Sequence, residues 1–234
     1  MSYTKRLDGR KFDEMRKMEA KVGIIPRADG SAMFKIGDTI AIVAVYGPRE
    51  LHPKFLQNPE KGILRCNYDM ASFSVPERKR PGPSRRSTEI SLVTEKSLLP
   101  VLDLKQFPNA VVDVFIEIIQ ANSGTRCAGI TAASMALAHA GVPMKNLVSA
   151  VSVGKVGDKI VIDLNKEEED YEDGATDIPV AMTGNNEITL LQLDGEVNKE
   201  ELLKALELAK KGCIEIDKLQ RKTLREFYKG AKNE

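Results

Sequence analysis

Apolar and polar residues alternate with a period of two over three short stretches near the start of the chain, Met18 to Ile25, Ser31 to Ile36 and Thr39 to Tyr46. Their β-branched content and the Asp29-Gly30 and Gly37-Asp38 separators predict antiparallel strands joined by tight turns. Ile63 to Phe73 alternates in the same way, which sets Arg65 on the face opposite Leu64 and Cys66. Between these stretches, Gly47 to Gly62 carries Pro48, Pro53 and Pro59 with no periodicity and reads as a long loop. The period lengthens from about Ser87 to Leu99, where Ile90, Val93, Leu98 and Val101 share one face of a helix.

A valine-rich strand, Val111 to Gln120, ends in a Ser-Gly turn. Cys127 to Ala140 then runs through Ala, Met and Leu with almost no charge, so it predicts a helix buried nearly all round. Val148 to Val156 and Lys159 to Leu164 predict a hairpin about Gly157-Asp158. Asp177 to Met182 and Ile188 to Leu193 predict another about Gly184-Asn185-Asn186. From Asn198 to about Lys229 an amphipathic helix presents Leu202, Leu206, Ala209, Cys213, Ile216, Leu219 and Phe227. This order of strands and helices describes an α+β domain over 1–234, with a first half at 18–147 and a second at 148–230 and no short-period repeat. Residues 1–17, polar and basic, read as an arm lying on a neighbour or partly mobile.

Composition narrows the chemistry. The 234 residues are 42% hydrophobic, enough for a globular core. Lys plus Arg (35) balances Asp plus Glu (34), so any nucleic-acid footprint must be local. Cys66, Cys127 and Cys213 are widely spaced and His52 and His139 are the only histidines, which gives neither a zinc cluster nor a disulfide framework. With no apolar signal region at the N-terminus and no apolar run of membrane-spanning length, the expectation is a soluble cytoplasmic protein with no membrane partner.

Helix N-termini attract acids, yet the buried helix starts with Arg126 as the sole charge of its first turn. Either Arg126 snorkels or pairs with a distant acid, or it joins the Thr125 hydroxyl and free backbone N–H groups in a phosphate site. The run Glu77 to Arg86 feeds the preceding helix with cations again, Arg85 and Arg86. Glu89 partly offsets these and could complete a cap with Arg86 or Ser87. Gly124 to Gly129 has the glycine spacing of a P-loop but Ile130 and Thr131 in place of its lysine, so that motif is absent. Cys127 and His139 lie about 18 Å apart along one helix and cannot pair, which leaves Cys127 as a small buried residue. The acidic run 165–173 reads by default as a solvated face. Asp177 follows it, as a turn residue or as a proton handler beside the arginines.

Leu7-Asp8-Gly9-Arg10, Pro83-Ser84-Arg85-Arg86, Ser123-Gly124-Thr125-Arg126 and Asp177-Ile178-Pro179-Val180-Ala181, taken together and in this order, resemble the RNase PH family in the pattern of catalytic ring subunits of archaeal exosomes. The resemblance implies two βαβα-type halves of the ribosomal protein S5 domain 2-like kind. It also implies a six-membered ring in which three copies alternate with a related inactive partner. The activity it implies is processive 3′-to-5′ phosphorolysis of single-stranded RNA, with inorganic phosphate as co-substrate and nucleoside 5′-diphosphates as products, reversible as RNA tailing. Ser123, Gly124, Thr125 and Arg126 would hold the attacking phosphate, and Arg85 and Arg86, with Arg80 of the basic run, would grip RNA.

Asp177 would protonate the departing 3′-oxygen, which requires a pKa well above the unperturbed value of about 3.9. Asp170 or Asp173 nearby would push it upward. A Mg²⁺ shared by Asp177 and Asp170 is the competing role for the same acids. The loop Leu51 to Lys61, with Lys54, Phe55 and Arg65, would line the RNA path. The sequence departs from larger relatives in having no KH-type Gly-x-x-Gly loop after its last helix, so RNA recruitment is expected to need separate cap subunits. The alternatives are a non-catalytic RNA-binding ring subunit and a bacterial-type homohexamer that trims tRNA 3′ ends.

Overall fold

The computed structural model describes residues 3–171 and 174–230. Strands β1 (Met18–Val22), β2 (Gly30–Ile36) and β3 (Thr39–Glu50) form an antiparallel meander. The β2–β3 turn is Gly37-Asp38, with Ile36 opposite Thr39, and Gly37 takes a φ of 55°, the left-handed conformation that a two-residue hairpin favours. After β4 (Ile63–Met70) and α1 (Arg85–Leu98), β5 (Ala110–Gln120) inserts between β3 and β4, antiparallel to the one and parallel to the other. The sheet order is β1-β2-β3-β5-β4. Helix α2 (Thr125–His139) leads to β6 (Val148–Val156), β7 (Lys159–Ile162), the one-turn α3 (Lys166–Glu169), β8 (Ala175–Thr183), β9 (Ile188–Leu191) and α4 (Lys199–Gly230). The second sheet runs β7-β6-β8-β9.

Strand β3 continues past Tyr46 to Glu50 through a register shift between Tyr46 and Arg49, so the loop expected from Gly47 starts only after the strand ends. Buried Leu51 anchors that loop, while Phe55 stands in solvent.

Small side chains let α2 lie between the sheets, against β2 and β3 on one side and β6 and β8 on the other. The approach is close: a Cβ at Gly30 would meet the Ala136 carbonyl oxygen at 2.3 Å. Thr131 Oγ1 and Ser134 Oγ accept from the backbone N–H groups of Ala150 and Val148, at 3.1 and 2.8 Å. Buried Gln220 of α4 accepts from Ser149 Oγ (2.8 Å) and donates to the carbonyls of Thr131 and Val148 (3.0 Å each). Thr131, Ser134, Ser149 and Gln220 thus all have partners, as burial demands, and the N-terminus of α2 opens where the two sheets meet. Among the described residues no helix is long and apolar enough to cross a membrane.

The arm before β1 packs on the second half of its own chain. Arg6, 1% exposed, donates to both carboxylate oxygens of Glu168 (2.8 and 2.7 Å) and to the carbonyls of Ile162 and Asp163 (2.8 and 2.9 Å). Tyr3 donates its hydroxyl to Glu168 at 2.7 Å, and Arg10 and Arg16 pair with Asp163 at 3.3 and 2.6 Å. The acidic run is therefore not a solvated face at Glu168. Its partner lies 162 residues away in sequence, a contact that local composition does not report.

Burial alone would raise the Glu168 pKa, but the Arg6 pair and the Tyr3 hydroxyl override it and hold the carboxyl below its usual range. Removing one partner leaves the other buried and uncompensated, so Glu168→Ala should destabilise the fold by about 3–5 kcal/mol in denaturant titrations. An unchanged midpoint would show the arm to be dispensable. Because the folded pKa lies below the unfolded one, the contribution is complete above the ordinary Glu value of about 4.3. It is lost as pH falls through the folded value, so the gap between wild type and Glu168→Ala should close in acid.

Candidate active site

The turn into α2 holds two consecutive residues in the left-handed region, Ser123 (φ 63°) and Gly124 (φ 65°). Gly124 occupies the N-cap position and offers no side-chain acceptor, and the first turn of α2 has no acid. Its leading N–H groups are therefore free to face an anion. The turn itself is fixed: Thr39 Oγ1 donates to the Ser123 carbonyl (2.6 Å) and accepts from Asn122 N–H (2.9 Å), and Arg16 donates to the Asn122 carbonyl. Ser123 Oγ donates to Glu169 Oε1 at 2.6 Å. Tyr68 donates its hydroxyl to Thr125 Oγ1 at 2.9 Å, which leaves the Thr125 hydrogen available to a ligand.

At the start of α1 the cap is Ser84 with Ser87, each side chain bonded to the other's backbone N–H (3.0 and 2.7 Å), and not the Glu89 arrangement anticipated from sequence. Glu89 instead accepts from Arg126 Nη2 at 3.2 Å and from Gln192 Nε2 at 2.8 Å. Arg126 thus pairs with a distant acid, as one of its two readings has it, and it also lines the cavity.

Asp177 is not a turn residue but lies within β8, opposite Gly154. Its backbone N–H and carbonyl both bond Asp194, at 2.9 Å each, and Ser152 Oγ donates to its carboxylate. The carboxyl faces a cavity of about 460 Å³ that it shares with Arg86, Thr125, Arg126, Glu169 and Asp194. Burial drives the Asp177 pKa upward with help from the charge of Asp194. The Ser152 bond and the Arg126 and Arg86 guanidinium groups pull the other way without cancelling the rise. Glu169 is raised likewise, by burial first and then by the charge of Asp177, against its Ser123 bond.

Other residues singled out in sequence fall elsewhere. Arg85 is exposed beside the cavity and does not line it. Arg65 joins Arg49 on the buried carboxylate of Asp113, and Arg80 is exposed in the segment before α1. The Asp170–Asp177 pair is not assembled, because Asp170 turns back one helical turn to Lys166 at 2.7 Å and does not line the cavity. Asp173 lies outside the described residues. No group of three or more His, Cys, Asp or Glu suited to a metal occurs among the described residues. Cys127 is buried, and burial pushes its thiol well above the ordinary value, so it is not a reactive thiolate.

Ser152, Glu169, Gln192, Asp194 and Glu89 in its Arg126-facing role were not read from sequence. A buried-strand serine was the one available signal for Ser152, and Ser149 of the same strand shares it. The others need strand register or helix contact to become visible.

Residues 14–143 match the 3′ exoribonuclease family, domain 1, and residues 146–212 match its domain 2. The chain is 55% identical over 225 residues to the exosome complex component Rrp41 of Pyrococcus furiosus, covering 96% of this chain and 89% of that protein. To the Rrp41 component of Methanopyrus kandleri it is 50% identical over 226 residues, covering 96% and 94%. Among solved structures, rice (Oryza sativa) Rrp46 superposes with a TM-score of 0.82 at 24% identity over 94% of this chain and 100% of the other. A chain of the Archaeoglobus fulgidus exosome with RNA bound to the active site gives 0.79 at 24% identity over 96% and 93%. These two structures share the fold described above. With both family domains matched in order and half or more of its residues shared with relatives along nearly their whole length, the chain belongs to the RNase PH family of 3′ exoribonucleases.

Proposed function

We propose that the cavity at the first turn of α2 is where this enzyme cleaves RNA by phosphorolysis, as the catalytic ring subunit of an exosome. The observation that carries this reading is the union, in one cavity, of an uncapped helix N-terminus, Arg126 and an aspartate whose pKa is raised. Inorganic phosphate rests against the N–H groups of Ser123 to Arg126, the Thr125 hydroxyl and the Arg126 guanidinium. One of its oxygens attacks the last phosphodiester of the RNA, the P–O3′ bond breaks, and a nucleoside 5′-diphosphate leaves. Asp177 gives its proton to the departing 3′-oxygen. In the reverse direction the same groups add nucleotides from nucleoside diphosphates.

Arg86, at the cavity wall, grips the scissile end of the RNA. Arg85 and Arg80 hold phosphates further back, and Arg65 on the outer face of the first sheet meets RNA on its approach. These contacts are to phosphate, so the enzyme accepts any sequence. Asp170 is engaged by Lys166, so a Mg²⁺ shared by Asp177 and Asp170 is not the arrangement this site offers. The relatives named as exosome components support a ring with further subunits. We infer three copies alternating with a related inactive partner, with separate RNA-binding caps, at work in the cytoplasm where RNA and free phosphate coexist. Acid and anion site in one cavity favour this over a non-catalytic ring role.

Incubated with its ring partner, single-stranded RNA and phosphate, the chain should release nucleoside 5′-diphosphates at a rate that depends on phosphate. Monophosphates released without phosphate would indicate hydrolysis. Asp177→Asn should lower kcat at least ~100-fold. The wild-type rate should fall as pH rises through the raised Asp177 pKa. A raised folded pKa means that the charged form costs stability above it. Asp177→Asn should therefore melt no lower than wild type at pH 8 while its turnover is lost, and a variant both inactive and unfolded would undercut the assignment.

A further inference from the structure

Arg126, Glu89 and Gln192 close a triangle in which each side chain bonds both others. Arg126 Nη1 donates to Gln192 Oε1, Arg126 Nη2 to Glu89 Oε2 at 3.2 Å, and Gln192 Nε2 to Glu89 Oε1 at 2.8 Å. The three come from separate elements: the first turn of α2, the start of α1, and the residue that follows β9. Both carboxylate oxygens of Glu89 and both ends of the Gln192 amide are occupied. Arg126 keeps the second hydrogen of each Nη nitrogen and its Nε, which is buried and has no partner. An arginine in the first turn of a helix is repelled by the helix dipole and would otherwise swing its long side chain toward water. Here only 18% of that side chain is exposed.

We propose that Glu89 and Gln192 are positioning residues that hold Arg126 with its free donors turned to the attacking phosphate. The inference rests on the reading of Arg126 as the phosphate anchor. The triangle also sets the spacing between that anchor and the acid. Gln192 N–H bonds the Pro179 carbonyl at 3.1 Å, two residues along β8 from Asp177. Asp194, two residues beyond Gln192, takes both backbone bonds of Asp177. One short segment therefore holds the guanidinium that receives phosphate and the strand that carries the proton donor. In-line transfer is sensitive to that spacing, with a misplacement of ~1 Å costing on the order of 100-fold in rate.

The test measures nucleoside diphosphate release by the assembled enzyme against phosphate concentration at saturating RNA, and against RNA at saturating phosphate. Glu89→Ala should raise the phosphate KM about tenfold, with the RNA KM held within about twofold, and Gln192→Ala should do the same to a smaller degree. Glu89→Gln keeps one acceptor, its amide oxygen, for Arg126 but turns a donor toward Gln192 Nε2, so it should restore part of the phosphate affinity that Glu89→Ala loses. An Arg126→Ala control separates the two levels of inference. If it leaves the phosphate KM unchanged, the anchor itself is misassigned. If it abolishes phosphate dependence while Glu89→Ala and Gln192→Ala change nothing, the positioning role alone fails. Equal damage from Glu89→Gln and Glu89→Ala would likewise overturn it, because charge rather than hydrogen-bonded placement would then be at work.

Discussion

A buried helix whose positive end carries neither cap nor acid is the constraint around which this molecule is arranged. Helix α2 is surrounded by protein along most of its length, so the partial charge at its N-terminus is not dispersed by water. The sequence sharpens the imbalance by placing Arg126 in that first turn. Glu89 and Gln192 take up part of it laterally, and Arg126 lines a cavity that Asp177 lines as well. An anion with several acceptor oxygens meets both demands at once, and inorganic phosphate is such an anion.

The same geometry raises the pKa of an aspartate in the cavity. Asp177 sits on a strand packed between β6 and β9, with its backbone fully bonded and its carboxyl withdrawn from solvent. Burial favours the protonated form, while Arg86 and Arg126 keep the rise in check. The cavity also contains Glu169, Asp194 and Glu89, more acids than arginines. Beyond burial, the charge of Asp194 adds to the rise at Asp177 and that of Asp177 to the rise at Glu169, and an entering dianion would add to both.

Holding two sheets, two helix starts and a turn in this register requires ties between the halves, and the arm before β1 supplies several. Arg16 joins Asp163 after β7 to the turn that precedes α2, and Arg6 locks Glu168 beside the residue that grips Ser123. The arm therefore braces the turn that leads into the cavity. Its buried ion pairs are costly to form and more costly to break singly, which suits an element that fixes position.

Periodicity and turn residues alone determined the strands, the three long helices and the small-sided character of α2, because these depend on neighbours within a few positions. The arginines at two helix starts were legible for the same reason: an expected acid is visibly missing from a local pattern. What only the tertiary structure decided were the pairings of distant residues. Glu168 was indistinguishable from its solvated neighbours until Arg6 was found beside it, and Asp170 became an unlikely co-ligand of Asp177 only when a single helical turn delivered it to Lys166. Glu89 and Gln192 likewise acquire a role only where α1, α2 and β9 converge. Charge and polarity are written residue by residue, whereas the partner that gives each its pKa and its purpose is supplied by the path of the chain through space.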